Sequence, residues 1–195
     1  MRKRRVVILA TLVVLALSAW AVRSAIDRGE AADIQRLADL VAKKKDAALK
    51  EEGEAVAKRY KDLGPFMKLF KERAAKGGLG VGKKSGAIQP DGIEAKIKAL
   101  ARKVPSTAEL EEQSDALVRM TEVTVAVAEV TRHKCEVDRK VGYLDPRDWS
   151  RWTEDMQQSS RELAEAVTAR DGVRIKSAAA KLSASCNSCH RIFRE

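Results

Sequence analysis

The chain has 195 residues, and its apolar fraction of 45% and charged fraction of 34% are those of one globular domain with a single core. Aromatic residues make up only 4%, while alanine, lysine, glutamate and leucine recur along most of the length, which favours helices over a β-sandwich. The formal net charge is +10, but basic residues alternate with acidic ones and do not group with aromatic residues. The composition therefore gives no indication of nucleic-acid binding.

The amino terminus has the pattern of an export signal. Four basic residues precede an apolar stretch over residues 6–17, and Ala19-Trp20-Ala21 then forms a small-x-small cleavage pattern. We interpret residues 1–21 as a signal peptide, whose four positive charges and no negative ones leave +6 on the rest. The alternative is an uncleaved anchor, because the apolar run 6–22 is at the lower length limit for crossing a bilayer. Either interpretation places the rest of the chain outside the cytoplasm, and membrane association is expected only if the segment is retained.

The first long helix is predicted over residues 31–62, where apolar residues recur at an imperfect helical spacing. The residues of this stripe are Ile34, Leu37, Val41, Ala48, Ala55 and Leu63. Pro65 should end the helix, because proline lacks an N–H donor and its predecessor avoids helical angles. Residues 64–105 are then interpreted as an insertion-like connection that contains a glycine-rich loop, 77–92, and a short helix. An Asp91-to-Glu94 capping box is expected to begin that helix.

Three further helices have clear start signals. Ser106 and Glu109 form a capping box for a helix to about residue 132, and Asp145-Pro146 begins a helix to about residue 169. A last helix follows the Asp171-Gly172 break and runs over residues 173–193. The predicted buried residues of these helices are Leu110, Leu117, Met120, Thr124, Val127, Trp149, Trp152, Met156, Leu163, Val167, Ile175, Ala178, Leu182, Cys186, Cys189 and Phe193. We therefore predict an all-α fold: an antiparallel four-helix bundle with an extra loop and short-helix excursion between its first and second helices.

One pentapeptide on the last helix indicates chemistry. Cys186-Asn187-Ser188-Cys189-His190 matches the c-type haem attachment signature, Cys-x-x-Cys-His. On a helix, the three-residue spacing puts both sulfurs on one face, and the adjoining imidazole can turn to the iron from the same side. A dithiol redox motif and half of a zinc site are the alternatives. The pattern predicts one covalent haem c, bound by Cys186 and Cys189, with His190 as the iron ligand.

A carboxy-terminal Cys-x-x-Cys-His, followed by Phe193 and Arg194 on the last of four helices, resembles the cytochrome c′ family. The likeness covers residues from Ser106 to the end well and residues 64–105 hardly at all. The resemblance implies a haem domain over residues 22–195, in which His190 is the proximal ligand. It also implies that Arg194 lies near a haem propionate, where the pairing would be charge-assisted.

The other face of the iron decides between two kinds of family member. In an up-down-up-down bundle the end of the last helix lies beside the start of the first, so Leu37, Leu40 or Val41 should cover this face. None of these side chains ligates iron, and the resemblance then implies a five-coordinate haem that binds nitric oxide or carbon monoxide. The alternative is a six-coordinate electron carrier with a methionine ligand, for which the candidates are Met67, Met120 and Met156.

The functional expectation is electron transfer in the periplasm or another exported location, between redox partner proteins. A dedicated gas-binding or sensing haem protein is the alternative, and no enzyme activity is expected, because no acid–base or nucleophilic constellation is visible outside the motif. His133 is expected at the surface. Cys135 is the odd cysteine, either a free thiol or a link between molecules, and a homodimer is a further alternative.

Overall fold

The structure is a computed structural model that describes residues 29–193. The predicted signal peptide, residues 1–21, and the predicted propionate partner Arg194 lie outside the described residues. Among the helices of the described part, none combines the length and the apolar character needed to cross a membrane.

Eight helices make up the described part of the chain. They are α1 (29–42), α2 (Asp46–Arg59), α3 (Gly64–Lys68), α4 (Arg73–Lys76), α5 (Ile93–Arg102), α6 (Thr107–Arg132), α7 (Pro146–Thr168) and α8 (Gly172–Phe193). Residues 29–193 contain no β-strand, and extended backbone pairs there only as isolated bridges, Glu72 with Gly92 and Val141 with Leu144. The all-α prediction is confirmed.

The helices pack in a continuous series of neighbours: α2 lies on α6, α6 on α7, α7 on α8, and α8 on α5. Polar pairs join neighbouring helices at their surfaces, as between Glu162 of α7 and Lys181 of α8 at 2.8 Å. The helical-bundle prediction is confirmed. The bundle places α5, which the sequence analysis assigned to the connection, directly along the helix that carries the Cys-x-x-Cys-His motif.

The predicted first helix, 31–62, is wrong as a single element. The chain turns at residues 43–45, where Lys44 adopts a positive φ of 54°, and α1 and α2 form an antiparallel hairpin. Arg36 pairs with Glu52 at 2.9 Å midway along the hairpin, and the Tyr60 hydroxyl donates a hydrogen bond to Asp33 at 2.8 Å at the open end. The imperfect stripe is therefore two separate stripes: each helix buries its own short set of apolar residues, and Ala55 is exposed.

Two of the three predicted helix caps are confirmed. Ser106 and Glu109 form a reciprocal capping box on α6, and the Asp145 side chain accepts a hydrogen bond from the Arg147 amide at the start of α7. The third is wrong, because Gly92 is the N-cap of α5 and no side chain caps it. Asp91 instead faces the glycine-rich loop, whose backbone groups it binds.

The glycine-rich loop is built around this buried carboxylate. Asp91 accepts hydrogen bonds from the Val81 amide at 2.8 Å and the Gly86 amide at 3.0 Å, and from the Ser85 hydroxyl at 3.3 Å. These bonds, together with the nearby Arg73 guanidinium, hold the pKa of Asp91 below its ordinary value even though burial acts to raise it. These bonds satisfy the amides of Val81 and Gly86 and hold the loop around the Asp91 side chain.

A second buried carboxylate lies where α2, α6 and α7 meet. Glu129 is 2% exposed and accepts a hydrogen bond from the Gln157 amide nitrogen at 2.7 Å, while the His133 ring nitrogen lies 3.1 Å from its other oxygen. Gly53 of α2 packs directly against it: a Cβ at this position would lie 2.6 Å from Glu129 Cγ. The lack of a side chain at Gly53 therefore sets the close approach of α2 to α6.

We expect Gly53→Ala to destabilise the protein by about 1–3 kcal/mol, because overpacking at a rigid contact outweighs the gain of up to about 1 kcal/mol from the higher helix propensity of alanine. Chemical denaturation monitored by circular dichroism measures the change. The same substitution in a Glu129→Ala background should cost less or become stabilising, since the clashing atom is gone. An equal cost in both backgrounds would show that Glu129 is not the obstacle.

Candidate functional site

The Cys-x-x-Cys-His motif lies in the last turns of α8, which continues through it as a regular helix to Phe193. Cys186 and Cys189 are one turn apart on the same face, both half-buried, while Asn187 between them is exposed. His190 adjoins the second cysteine and is exposed. As predicted, the two cysteine side chains lie on one face of a helix, and the histidine follows the second cysteine in sequence.

Burial is the main influence on the pKa values of the two thiols. It raises the pKa of Cys186 to about 11, with a further rise from Glu94 and an opposing effect of a hydrogen bond with Ser185. It likewise raises the pKa of Cys189 to about 11, and the neighbouring thiols of Cys186 and Cys135 add to the shift. None of the three cysteines forms a disulfide. At neutral pH both motif cysteines are therefore protonated thiols.

The neighbours of Cys186 come from α5. Glu94 and Lys98, one turn apart, are close enough to act electrostatically on the thiol. Glu94 lies between two ammonium groups, at 2.6 Å from Lys71 Nζ and 2.6 Å from Lys98 Nζ. These two hydrogen bonds lower the pKa of Glu94 to about 2. The wall opposite Cys186 thus carries a fixed negative charge between two positive ones.

An aromatic cluster covers the other side of the motif helix end. Phe193 meets the rings of Trp149 and Trp152 edge-on, at centroid distances of 4.9 and 6.0 Å. The Trp149 indole donates a hydrogen bond to the Thr131 carbonyl at 2.9 Å. The cluster therefore joins the end of α6, the start of α7 and the end of α8, and it fixes where the motif lies in the bundle.

The predicted distal residues lie on α1. Leu37 is fully buried and Val41 half-buried, both in the apolar core. Polar contacts join α1 to α2 and to Arg119 of α6, whose guanidinium donates to the Gln35 side chain at 2.6 Å and pairs with Asp39 at 2.7 Å. That either residue covers a haem stays a prediction. The structure also places α5 along α8 at Cys186, a neighbour that the sequence analysis did not expect there.

The candidate sixth ligands are also located. Met120 is 2% exposed within the core, and Met67 and Met156 are half-buried against it. His133 is exposed, as predicted, and pairs with Glu129. Ligation of the iron by one of these methionines stays the alternative to a five-coordinate haem.

A helical bundle whose last helix displays two thiols and an adjoining histidine has the construction of a c-type cytochrome. The family model described as cytochrome c′ matches residues 94–194, just over half of the chain, and the chain belongs to the cytochrome c′ family. Comparisons with curated proteins and with solved structures found no match. The match begins inside α5, so the end of the predicted connection lies within the family region.

Membership of this family makes the chain a c-type haem protein, with covalently bound haem c and its iron. Family members are typically periplasmic. The residues present fit this cofactor: two protonated thiols on one helical face are the groups that add to its vinyl substituents, and a histidine adjoins them.

Sequence reasoning missed the part that α5 plays. Ile93, Ile97 and Leu100 are all buried, and their i, i+4, i+7 spacing is that of a bundle helix. This spacing is visible in the sequence, but it covers only two turns and follows a long glycine-rich loop, so the helix was assigned to the connection and not to the bundle. Glu94 and Lys98 as neighbours of the motif, and the approach of Cys135 to Cys189, depend on tertiary packing and leave no local pattern.

The ion pairs of Glu94 should appear in the pH dependence of stability. Its pKa is lower in the folded protein than the ordinary 4.5, so it stabilises the fold above about pH 4.5 and this contribution is lost as the pH falls towards about 2. Glu94→Gln should remove that part of the pH dependence, with a modest loss of stability at neutral pH. Denaturation curves at several pH values, with exposed Glu111→Gln as control, measure it. Parallel profiles for wild type and Glu94→Gln would contradict the assignment.

Proposed function

We propose that this protein binds one haem c through thioether bonds from Cys186 and Cys189, with His190 as the axial iron ligand, and that it transfers single electrons. The observation that carries the proposal is the display of both sulfurs on one face of α8, next to the imidazole-bearing residue. The haem iron, when bound, supplies a one-electron redox centre.

The residues around the motif have separate tasks in this proposal. Cys186 and Cys189 would hold the haem as thioethers: each S–H would add across one vinyl double bond, so attachment would need no oxidant. Phe193, held by Trp149 and Trp152, fixes the orientation of the last helical turn from which His190 reaches the iron. Arg194 is the proposed partner of a haem propionate, by the resemblance noted from the sequence.

A five-coordinate iron that binds nitric oxide or carbon monoxide is our proposal for the other face. Apolar Leu37 and Val41 are proposed to cover this face. The burial of Met120 in the core supports the five-coordinate state, because this methionine packs against other side chains. A dedicated gas-binding or sensing protein is the second candidate function, and the same apolar residues favour it. A methionine-ligated carrier is the remaining alternative.

The setting of this function is also proposed. The export pattern of residues 1–21 and the usual location of the family support a periplasmic protein, anchored to the membrane only if that segment is retained. Its proposed partners are redox proteins, and we propose that it catalyses no reaction itself. A homodimer is compatible with this proposal, and Cys135 is treated as a free thiol.

Covalent attachment is tested by exchanging the cysteines. The Cys186→Ser, Cys189→Ser double variant should lose all haem that survives denaturation, as measured by intact mass and by haem stain after gel electrophoresis. Cys135→Ser is the matched control and should keep it. His190→Ala should chiefly remove the axial bond. Haem that remains fastened to the double variant would overturn the proposal.

The coordination state is tested by absorption spectra. The reduced protein should show a broad high-spin Soret band that sharpens and shifts on addition of carbon monoxide, because the iron keeps an open position. A low-spin spectrum that carbon monoxide leaves unchanged would establish a strong sixth ligand. Both gas binding and the apolar distal face would then be rejected, while covalent attachment would stand.

A further inference from the structure

A small cavity lies between α5 and α6, on the side of α5 that faces away from Cys186. Its volume is about 140 Å³, close to the roughly 150 Å³ that accommodates a benzene molecule in an apolar protein cavity. The lining residues are Gln89, Lys96, Ala99, Leu100, Lys103, Val104, Pro105, Glu109, Leu110, Gln113 and Leu117. One wall is therefore aliphatic and the other polar, which is the arrangement of a binding site for a small amphipathic molecule.

The polar wall contains a buried cation. Lys96 is 6% exposed, and its ammonium donates hydrogen bonds to the Gln89 carbonyl at 3.0 Å and to Gln113 Oε1 at 2.8 Å. Both acceptors are neutral, and within residues 29–193 the ammonium forms no ion pair with a carboxylate. An ammonium has three donors, so one N–H is left beyond these two bonds. Burial lowers the pKa of Lys96, and the negative charge of Glu109, too far away to form an ion pair, opposes this shift.

The surrounding charges favour an anion in this place. Lys103 adds a second positive charge to the lining, and Glu109 is the single acidic residue among the cavity residues. The Glu109 carboxylate is already engaged in the α6 cap, where it accepts hydrogen bonds from the Ser106 amide and hydroxyl at 2.8 Å each. A buried charge without an ion-pair partner is costly, and a ligand carboxylate beside Lys96 would compensate it.

We propose that this cavity binds a small aliphatic monocarboxylate of about four carbons. Its carboxylate takes the remaining N–H of Lys96, and its alkyl chain packs against Leu100, Leu110 and Leu117. The volume matches a ligand of this size. The aliphatic wall disfavours inorganic phosphate, which needs several donors and gains nothing from apolar contact.

The experiment uses the haem-loaded protein and 4,4,4-trifluorobutyrate as a probe, with binding followed by fluorine NMR line width. The wild type should broaden the probe signal, and butyrate should reverse the broadening by competition, whereas butylamine, of the same size and opposite charge, should not. Lys96→Met should weaken probe binding at least tenfold. Arg102→Met, on the same helix, exposed and outside the cavity lining, is the matched control and should bind as the wild type does.

The competition arm uses the wild type alone, so the proposal is tested even if Lys96→Met does not fold, which circular dichroism would reveal. Equal competition by butyrate and butylamine would overturn it, because the charge of the ligand would then not matter. Unchanged binding by a folded Lys96→Met variant would overturn it as well. So would the absence of any broadening by the wild type at millimolar probe.

Discussion

The position of α8 between α5 and α7 is the constraint on which the rest of the structure depends. Its buried face, with Ile175, Ala179 and Leu182 fully enclosed, fixes the rotation of the helix about its axis. Its start is fixed by close packing, since a Cβ on Gly172 would lie 2.7 Å from Val104 Cγ1. Because the helix is regular throughout, the same rotation determines where the two cysteines point fourteen and seventeen residues later. The direction of the two cysteine side chains is thus set by apolar packing in the earlier turns of α8.

The elements with strong local signals were predictable from sequence. The capping box of Ser106 with Glu109, the Asp145-Pro146 start and the Asp171-Gly172 break gave α6, α7 and α8 nearly at their observed bounds. The five predicted buried residues of α6 are all buried. The motif cysteines could be identified from the sequence alone, because haem attachment requires a local spacing that a single helical turn provides.

What failed was the amino-terminal half, where tertiary contacts decide between local alternatives. Three consecutive lysines, Lys43 to Lys45, interrupt the first apolar stripe, and a hairpin stabilised by Arg36 with Glu52 forms instead of one long helix. Asp91 had the sequence of a cap but binds three groups of its own loop, which offers more hydrogen bonds than the end of α5 does. The place of α5 beside α8 was not predicted, because residues 64–105 were counted as a connection.

Helix α5 contributes residues both to the surroundings of Cys186 and to the cavity, and this has a thermodynamic consequence. Within ten residues this helix presents Glu94 and Lys98 towards Cys186 and Lys96 towards the cavity. A helix of nearly three turns that contributes to both sites can couple them, and such a coupling free energy is reciprocal. Whatever shift cavity occupancy produces in the reduction potential of the iron must therefore equal, in free energy, the change that oxidation produces in the affinity of the cavity.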